Sequence, residues 1–293
     1  MPRRWPLILF LALVLTFVLA LFLLAGGWAY RFYWPHDGIE TRLSSIVAAR
    51  PEQHVDCAAL VRAKPLVLLA LGQSNAGNHG AYAPSDEPPI ALVAGADCLL
   101  ASDPLAGATG TGGSIWRHLP GALAGDLAGR KVLITVLAVD ATSIGDWTRP
   151  GSRLAKRLVE QVKALKQLGL MPDFVLWQQG EADARNGTVA AEYQRGLASL
   201  AALLNQAGVQ APLVLARSTV CRSLPNEAIR AAIEQTVATT PDSFVLGPDT
   251  DQLQGDTYRR DGCHLSQAGL KQAAAQWASV LRPRIAGVFP RLP

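Results

Sequence analysis

After residue 64 the chain carries six apolar runs of strand length: Leu66–Leu71, Ile90–Val93, Val132–Val139, Phe174–Trp177, Leu213–Ala216 and Phe244–Leu246. Between and after them lie helix-length segments, including Gly151–Leu168, Val189–Ala207, Asn226–Thr239 and Ser266–Leu281. Runs that are apolar throughout, rather than alternating, belong to strands buried on both faces. Their alternation with helices predicts a three-layer α/β/α domain built on a mainly parallel sheet. In the last helix, Ser266 is placed to cap the start and Pro283 to stop the end. Ligands of such sheets gather at the C-terminal ends of the strands. Polar clusters fall at or beyond those ends: "GQSN" (72–75), "DATSIGDW" (140–147), "QQGEAD" (178–183) and "DGCHLS" (261–266). "GTGGSIW" (110–116) lies in the long loop after the second run.

The N-terminal pattern is different. From Leu7 to Tyr30 there is no charged residue, and as a helix this segment would reach about 36 Å, enough to span a bilayer. Residues 1–30 are therefore expected to form a retained transmembrane anchor, with Arg3 and Arg4 on the cytoplasmic side. Residues 31–64 would be a connector, and residues 65–293 the domain, held outside the cytoplasm in a periplasmic or extracellular space. A signal peptide cleaved near Ala25 and Gly27 is the alternative.

Composition narrows the functional classes. The chain has 293 residues, 49% of them apolar, and a formal net charge of +4. That suits one large core. Basic residues are scattered, so no nucleic-acid partner is indicated. The glycine-rich stretch 106–113 lacks the lysine of a phosphate-binding loop. There are four cysteines and no C-x-x-C pair, which argues against a zinc ribbon. Outside the cytoplasm, an even count points to disulfides. Cys221 follows the strand Leu213–Ala216, and Cys263 lies on the chain leaving Phe244–Leu246. Both belong at the same sheet edge, so a Cys221–Cys263 bridge is expected, with Cys57–Cys98 as the second.

The chemistry-bearing residues sit in the polar clusters. A serine hydroxyl needs a base to take its proton, and the base needs a carboxylate to fix its tautomer. Ser74 follows the first strand. Of five histidines, His264 alone has an acid three residues before it, Asp261, in a segment that can close as one tight turn. "GQSNAG" is not the Gly-x-Ser-x-Gly elbow of α/β-hydrolases, because Ala76 takes the last place. Glu181 and Asp183 raise a two-carboxylate glycosidase as a competing idea.

In combination and order, "GQSN", "GTGGSIW", "WQQGEAD" and "DGCHLS" resemble the motifs of SGNH-type hydrolases. They are most similar to the sialate O-acetylesterase-like branch, related to the acetylxylan esterases of carbohydrate esterase family six. The resemblance covers roughly Pro65 to Leu281 and implies a flavodoxin-like SGNH fold. It implies Ser74 as nucleophile, His264 as general base and acid, and Asp261 as the orienting carboxylate, with neither cofactor nor metal. Oxyanion donors would be the Ser74 N–H, a glycine N–H from Gly112 or Gly113, and the Gln179 side chain. Gln73, Asn75 and Glu181 would support the site. The expected activity is removal of O-acetyl groups from a carbohydrate. Lipid or other acyl ester hydrolysis, acyl transfer, and a non-catalytic glycan-binding module are the rivals. One departure stands out: Asp140-Ala141 occupies a place where many relatives carry Gly-Gly.

Overall fold

The computed structural model describes residue 16 and residues 37–83, 87–127 and 129–288. Apart from residue 16, the expected membrane anchor lies outside the described residues. Among the described residues, no helix is long and apolar enough to cross a membrane. The chain divides into two units at Ser44/Ser45. The first includes helix α1 (Asp37–Ser44), and the expected connector thus contains helical structure. The second holds everything that follows.

The first α-helix of the second unit is α2 (Cys57–Arg62), capped by Asp56, whose side chain accepts from the Ala58 N–H at 2.9 Å. A seven-stranded sheet follows. Its strands are β1 (Leu66–Gly72), β2 (Ile90–Ala94), β3 (Asp97–Ala101), β4 (Val132–Ala138), β5 (Phe174–Gln178), β6 (Leu213–Arg217) and β7 (Phe244–Asp249). The spatial order is β3-β2-β4-β1-β5-β6-β7, parallel except for the β2–β3 hairpin. All six expected strands are present. The seventh, β3, is the addition: an antiparallel edge strand of five residues.

The remaining helices cover the sheet. They are α3 (Ile115–Leu123), α4 (Ile144–Thr148), α5 (Arg153–Gln167), α6 (Glu181–Asn186), α7 (Ala190–Gln206), α8 (Glu227–Thr239), α9 (Gly255–Tyr258) and α10 (Gln267–Val288). Ser152 caps α5 and Asn226 caps α8, each accepting from a backbone N–H at 3.0 Å. Helix α10 does not stop at Pro283; it runs on to Val288. A proline removes only one backbone bond, and the buried row Leu270, Ala273, Ala274, Trp277, Ala278, Leu281 and Ile285 continues past it.

The strands explain the layering. Every residue of β1 and β4 is buried. Leu66, Leu68 and Ala70 pack into one core with Trp116, Leu119, Trp277 and Leu281 of α3 and α10. Val67 and Leu133 face the other way, toward Leu165 of α5. The central register aligns Gly72 with both Ala138 and Gln178. The segments leaving β1, β4 and β5 therefore start at one level of one edge.

Candidate active site

The Asp261–His264 turn is local and closed on itself. Asp261 Oδ1 accepts from the backbone N–H groups of Cys263 (2.9 Å) and His264 (2.7 Å). Its Oδ2 pairs with His264 Nδ1 at 2.8 Å. Gly262 at φ 75° lets the chain fold back this tightly. Partial burial alone would raise the Asp261 pKa. The hydrogen bonds from His264 and Cys263 outweigh it and hold the carboxylate well below its usual range. The turn is fixed to the end of β6 by the Cys221–Cys263 disulfide and by Arg222, whose backbone N–H bonds Gly262 O at 2.8 Å. The Cys57–Cys98 disulfide joins α2 to β3.

Ser74 starts a single 3-10 turn (Ser74–Ala76) directly after β1. The strand ends on glycine for a steric reason. At φ 145°, a Cβ on Gly72 would stand 2.1 Å from the Gln178 carbonyl oxygen of β5. Three contacts tie this segment to the Asp261–His264 turn. Asn75 Nδ2 donates to Cys263 O at 3.2 Å, and the Ala81 N–H donates to Leu265 O at 2.8 Å. The third is ring stacking of His79 on His264, with centroids 5.4 Å apart. Most of the chain separates the two segments in sequence, yet they are neighbours at the sheet edge.

The structure corrects three expected oxyanion donors. The Gly112 N–H is bonded to Asn78 O at 2.7 Å, and the Gly113 N–H to Gly80 O at 3.1 Å. Gln179 is fully buried, and its Nε2 donates to Asp183 Oδ2 (2.6 Å) and Thr142 O (2.9 Å), with Gln73 Oε1 at 3.3 Å. Its Oε1 accepts from the Tyr193 hydroxyl at 2.9 Å. None of these groups has a hydrogen left for a ligand. Among the described residues, the N–H groups of Ser74 and Gly110 are among those that donate no backbone hydrogen bond. Gly110, at φ 93°, lies so close to the Ser74 segment that a Cβ there would meet Asn78 O at 2.4 Å and the His79 ring at 2.7 Å.

Below the edge lies a sealed polar layer. Gln73 Oε1 accepts from the Ala182 N–H at 3.0 Å, at the start of α6. Asn75 Nδ2 donates to Glu181 Oε1 at 2.7 Å, and the Ser218 hydroxyl donates to the same oxygen at 2.8 Å. Asp183 accepts from the Ile144 N–H (2.8 Å), Gln179 and Thr188. Burial raises the Asp183 pKa despite these donors. Glu181 and Asp183 are 2% and 1% exposed, so neither carboxylate reaches a sugar. That removes the glycosidase idea on geometry. The expected supporting role of Gln73, Asn75 and Glu181 agrees with their contacts.

Two residues escape sequence reasoning. His79 looks like a loop histidine without an acid, yet it stacks on His264, and its Nε2 meets the Thr109 hydroxyl at 3.1 Å. Burial lowers its pKa; Asp140 opposes that, while His264 and Arg260 add to it. The only linear signal is its place five residues after Ser74. Arg259 is buried beneath the turn and donates to the carbonyls of Cys263, Leu253 and Thr250. Nothing in its local pattern distinguishes it from a surface arginine.

A serine at the C-terminal edge of a parallel sheet, with an Asp–His pair on the chain between the last strand and the last helix, is the arrangement expected of an SGNH-like ester hydrolase. Residues 65–282 match the family model for carbohydrate esterases of the sialic acid-specific acetylesterase type, so the chain belongs to that family and is a carboxylic ester hydrolase. No curated protein gives a significant match. Solved structures with the same fold include a protein from Arabidopsis thaliana, 20% identical over 77% of this chain and 99% of its own, with a TM-score of 0.58. A family 3 carbohydrate esterase from Clostridium thermocellum is 17% identical over 76% of this chain and 98% of its own, with a TM-score of 0.50. A putative GDSL-like lipase from Parabacteroides merdae is 12% identical, covering 73% and 94%, with a TM-score of 0.51.

Proposed function

We propose that the chain is a serine esterase that removes O-acetyl groups from a carbohydrate through an acyl-serine intermediate. The observation that carries this reading is the Asn75–Cys263 hydrogen bond, which holds the Ser74 turn against the Asp261–His264 turn. With Nδ1–H donated to Asp261, the His264 ring keeps the Nε2 lone pair for the Ser74 proton. Ser74 Oγ attacks the acetyl carbonyl, and His264 returns the proton to the departing sugar hydroxyl. Water, deprotonated by the same ring, then releases acetate and restores Ser74. The N–H groups of Ser74 and Gly110 are the donors for the tetrahedral oxyanion, each worth about 3–4 kcal/mol in the transition state. The family match supports the carbohydrate acetyl ester as substrate class.

The two disulfides and the uncharged stretch Leu7–Tyr30 support placing residues 65–293, as the hydrolase domain, outside the cytoplasm on an N-terminal membrane anchor.

Ser74→Ala tests the mechanism. It should leave the unfolding temperature near that of the parent and lower kcat for an acetyl ester by about a thousandfold or more. An undiminished rate in the folded variant overturns the proposal. A series of aryl esters of rising acyl length tests the substrate class: a sharp acetyl preference supports it, and a rate that climbs with chain length favours lipid-type esters instead.

A further inference from the structure

Glu181 is buried beneath the site, and its hydrogen bonding is incomplete. Oε1 accepts from Asn75 Nδ2 and from Ser218, but Oε2 is buried without a partner. Asn75 has the matching defect. Its Nδ2 donates both to Glu181 and to Cys263 O, while its Oδ1 is buried with no donor. Two orphaned oxygens thus belong to two groups that are already joined at one point. Were Glu181 ionised, both would remain acceptors without a protein donor, a costly arrangement for buried oxygens. One proton on Oε2 supplies a donor where there is none, because a carboxylic acid both gives and takes a hydrogen bond.

The electrostatics agree. Burial pushes Glu181 up to about 7 from its ordinary 4.5, opposed only in part by hydrogen bonds from Asn75, its own backbone N–H and Ser218, and by the charge of Arg259. The titratable and charged groups that face it are Arg259 and Tyr193 of α7, the latter kept neutral chiefly by its own burial.

We propose that Glu181 is protonated in the working enzyme and that its Oε2 hydroxyl donates to Asn75 Oδ1, closing a two-point acid–amide pair. Asn75, so locked, holds the Cys263 carbonyl and with it the turn that carries Asp261 and His264. Glu181 is a positioning residue; it touches no substrate and acts through Asn75. Its link to catalysis rests on the reading of Asp261 and His264 as the acid–base pair, whereas its protonation does not.

The sign of the pH effect follows from the raised pKa. Between about 4.5 and 7 the folded protein keeps a proton that the unfolded chain has lost. The stability from the neutral pair is full below the lower value and disappears as pH rises through the upper one.

Glu181→Gln is the test, because a carboxamide presents an N–H donor beside a carbonyl acceptor at every pH. The unfolding temperature of the parent should fall relative to E181Q from about pH 4.5 to 7 and run parallel to it above. At about pH 6 the parent should show a protonated-carboxyl C=O infrared band that E181Q lacks. The ratio of kcat/KM, E181Q over parent, should rise at least about threefold between pH 6 and 8. A pH-independent difference in unfolding temperature with no lost band overturns the protonation. A lost band with a flat kcat/KM ratio overturns the positioning role. Ser218→Ala removes a donor that favours the ionised form, so it should move the same transitions to higher pH; no shift, or a downward one, also overturns the proposal. If S74A stays active while the band and stability differences stand, the serine mechanism fails and the protonated pair survives.

Discussion

Two short polar segments, 261–264 and 178–183, read alike in the sequence and end in opposite environments. The first is a partly exposed turn whose carboxylate is held ionised by three hydrogen bonds focused on it. The second is a buried layer in which desolvation raises the pKa of both carboxylates. Each has acids and a neighbouring proton carrier or amide. The difference lies in where the hydrogen atoms point. Segment 261–264 leaves one imidazole nitrogen for outside use. Segment 178–183 spends its donors on the protein: Gln178 on Ser218 and Thr250, Gln179 on Asp183 and Thr142. A shared set of motifs therefore divides into groups offered to a ligand and groups that hold the offering surface in place.

The widest gap between the two segments should appear on losing the exposed base. His264→Gln is expected to lower kcat/KM for an acetyl ester by about 10³–10⁴, with little change in unfolding temperature. Steady-state kinetics and thermal melts on one preparation check both halves.

The disulfides give a middle-sized effect that divides the molecule the same way. Cys221→Ser frees the turn from β6 and should reduce kcat by about tenfold or more, because a base displaced by about 1 Å is a poor base. Cys57→Ser leaves the turn alone and should instead cost about 2–4 kcal/mol in denaturant unfolding while kcat holds. Equal kinetic losses in the two variants would erase the distinction.

The smallest kinetic effect is the sharpest test of the sealed layer. Gln179→Ala should leave kcat within about threefold and lower stability by about 1–3 kcal/mol, since Thr142 O, Asp183 and Tyr193 all lose a partner. A donor to the oxyanion would behave differently, costing about a hundredfold in kcat. The ratio of kinetic to thermodynamic loss tells the two roles apart.

The sequence carried the parts of this that depend on short-range pattern. Apolar runs located six of seven strands, because strands buried on both faces have an unmistakable composition. They missed β3, whose five residues pair only at the sheet edge and expose Asp97 and Leu100. The Asp261–His264 pair was legible because three residues of chain are enough to build it. Which donors beyond the Ser74 N–H stay free was not. A glycine N–H or a glutamine amide is a donor in any sequence, and whether Asn78 O or Asp183 has already claimed it depends on residues far along the chain. His79 was hidden for the same reason, since its partner His264 arrives from the other end of the domain.

That division also orders the folding of the site. The Asp261–His264 turn closes a loop of three residues, whereas the Ser74–Ala76 turn meets it through Asn75 only after β1 is flanked by β4 and β5 and the chain leaving β7 has returned to the edge. Contacts of such sequence separation are the slow ones, because loop closure must precede any gain from them. Recovery of esterase activity during refolding should therefore lag behind recovery of helical signal. A partly assembled chain can hold its Asp–His turn fully formed and still be catalytically silent, which makes turnover itself a reporter of the completed sheet.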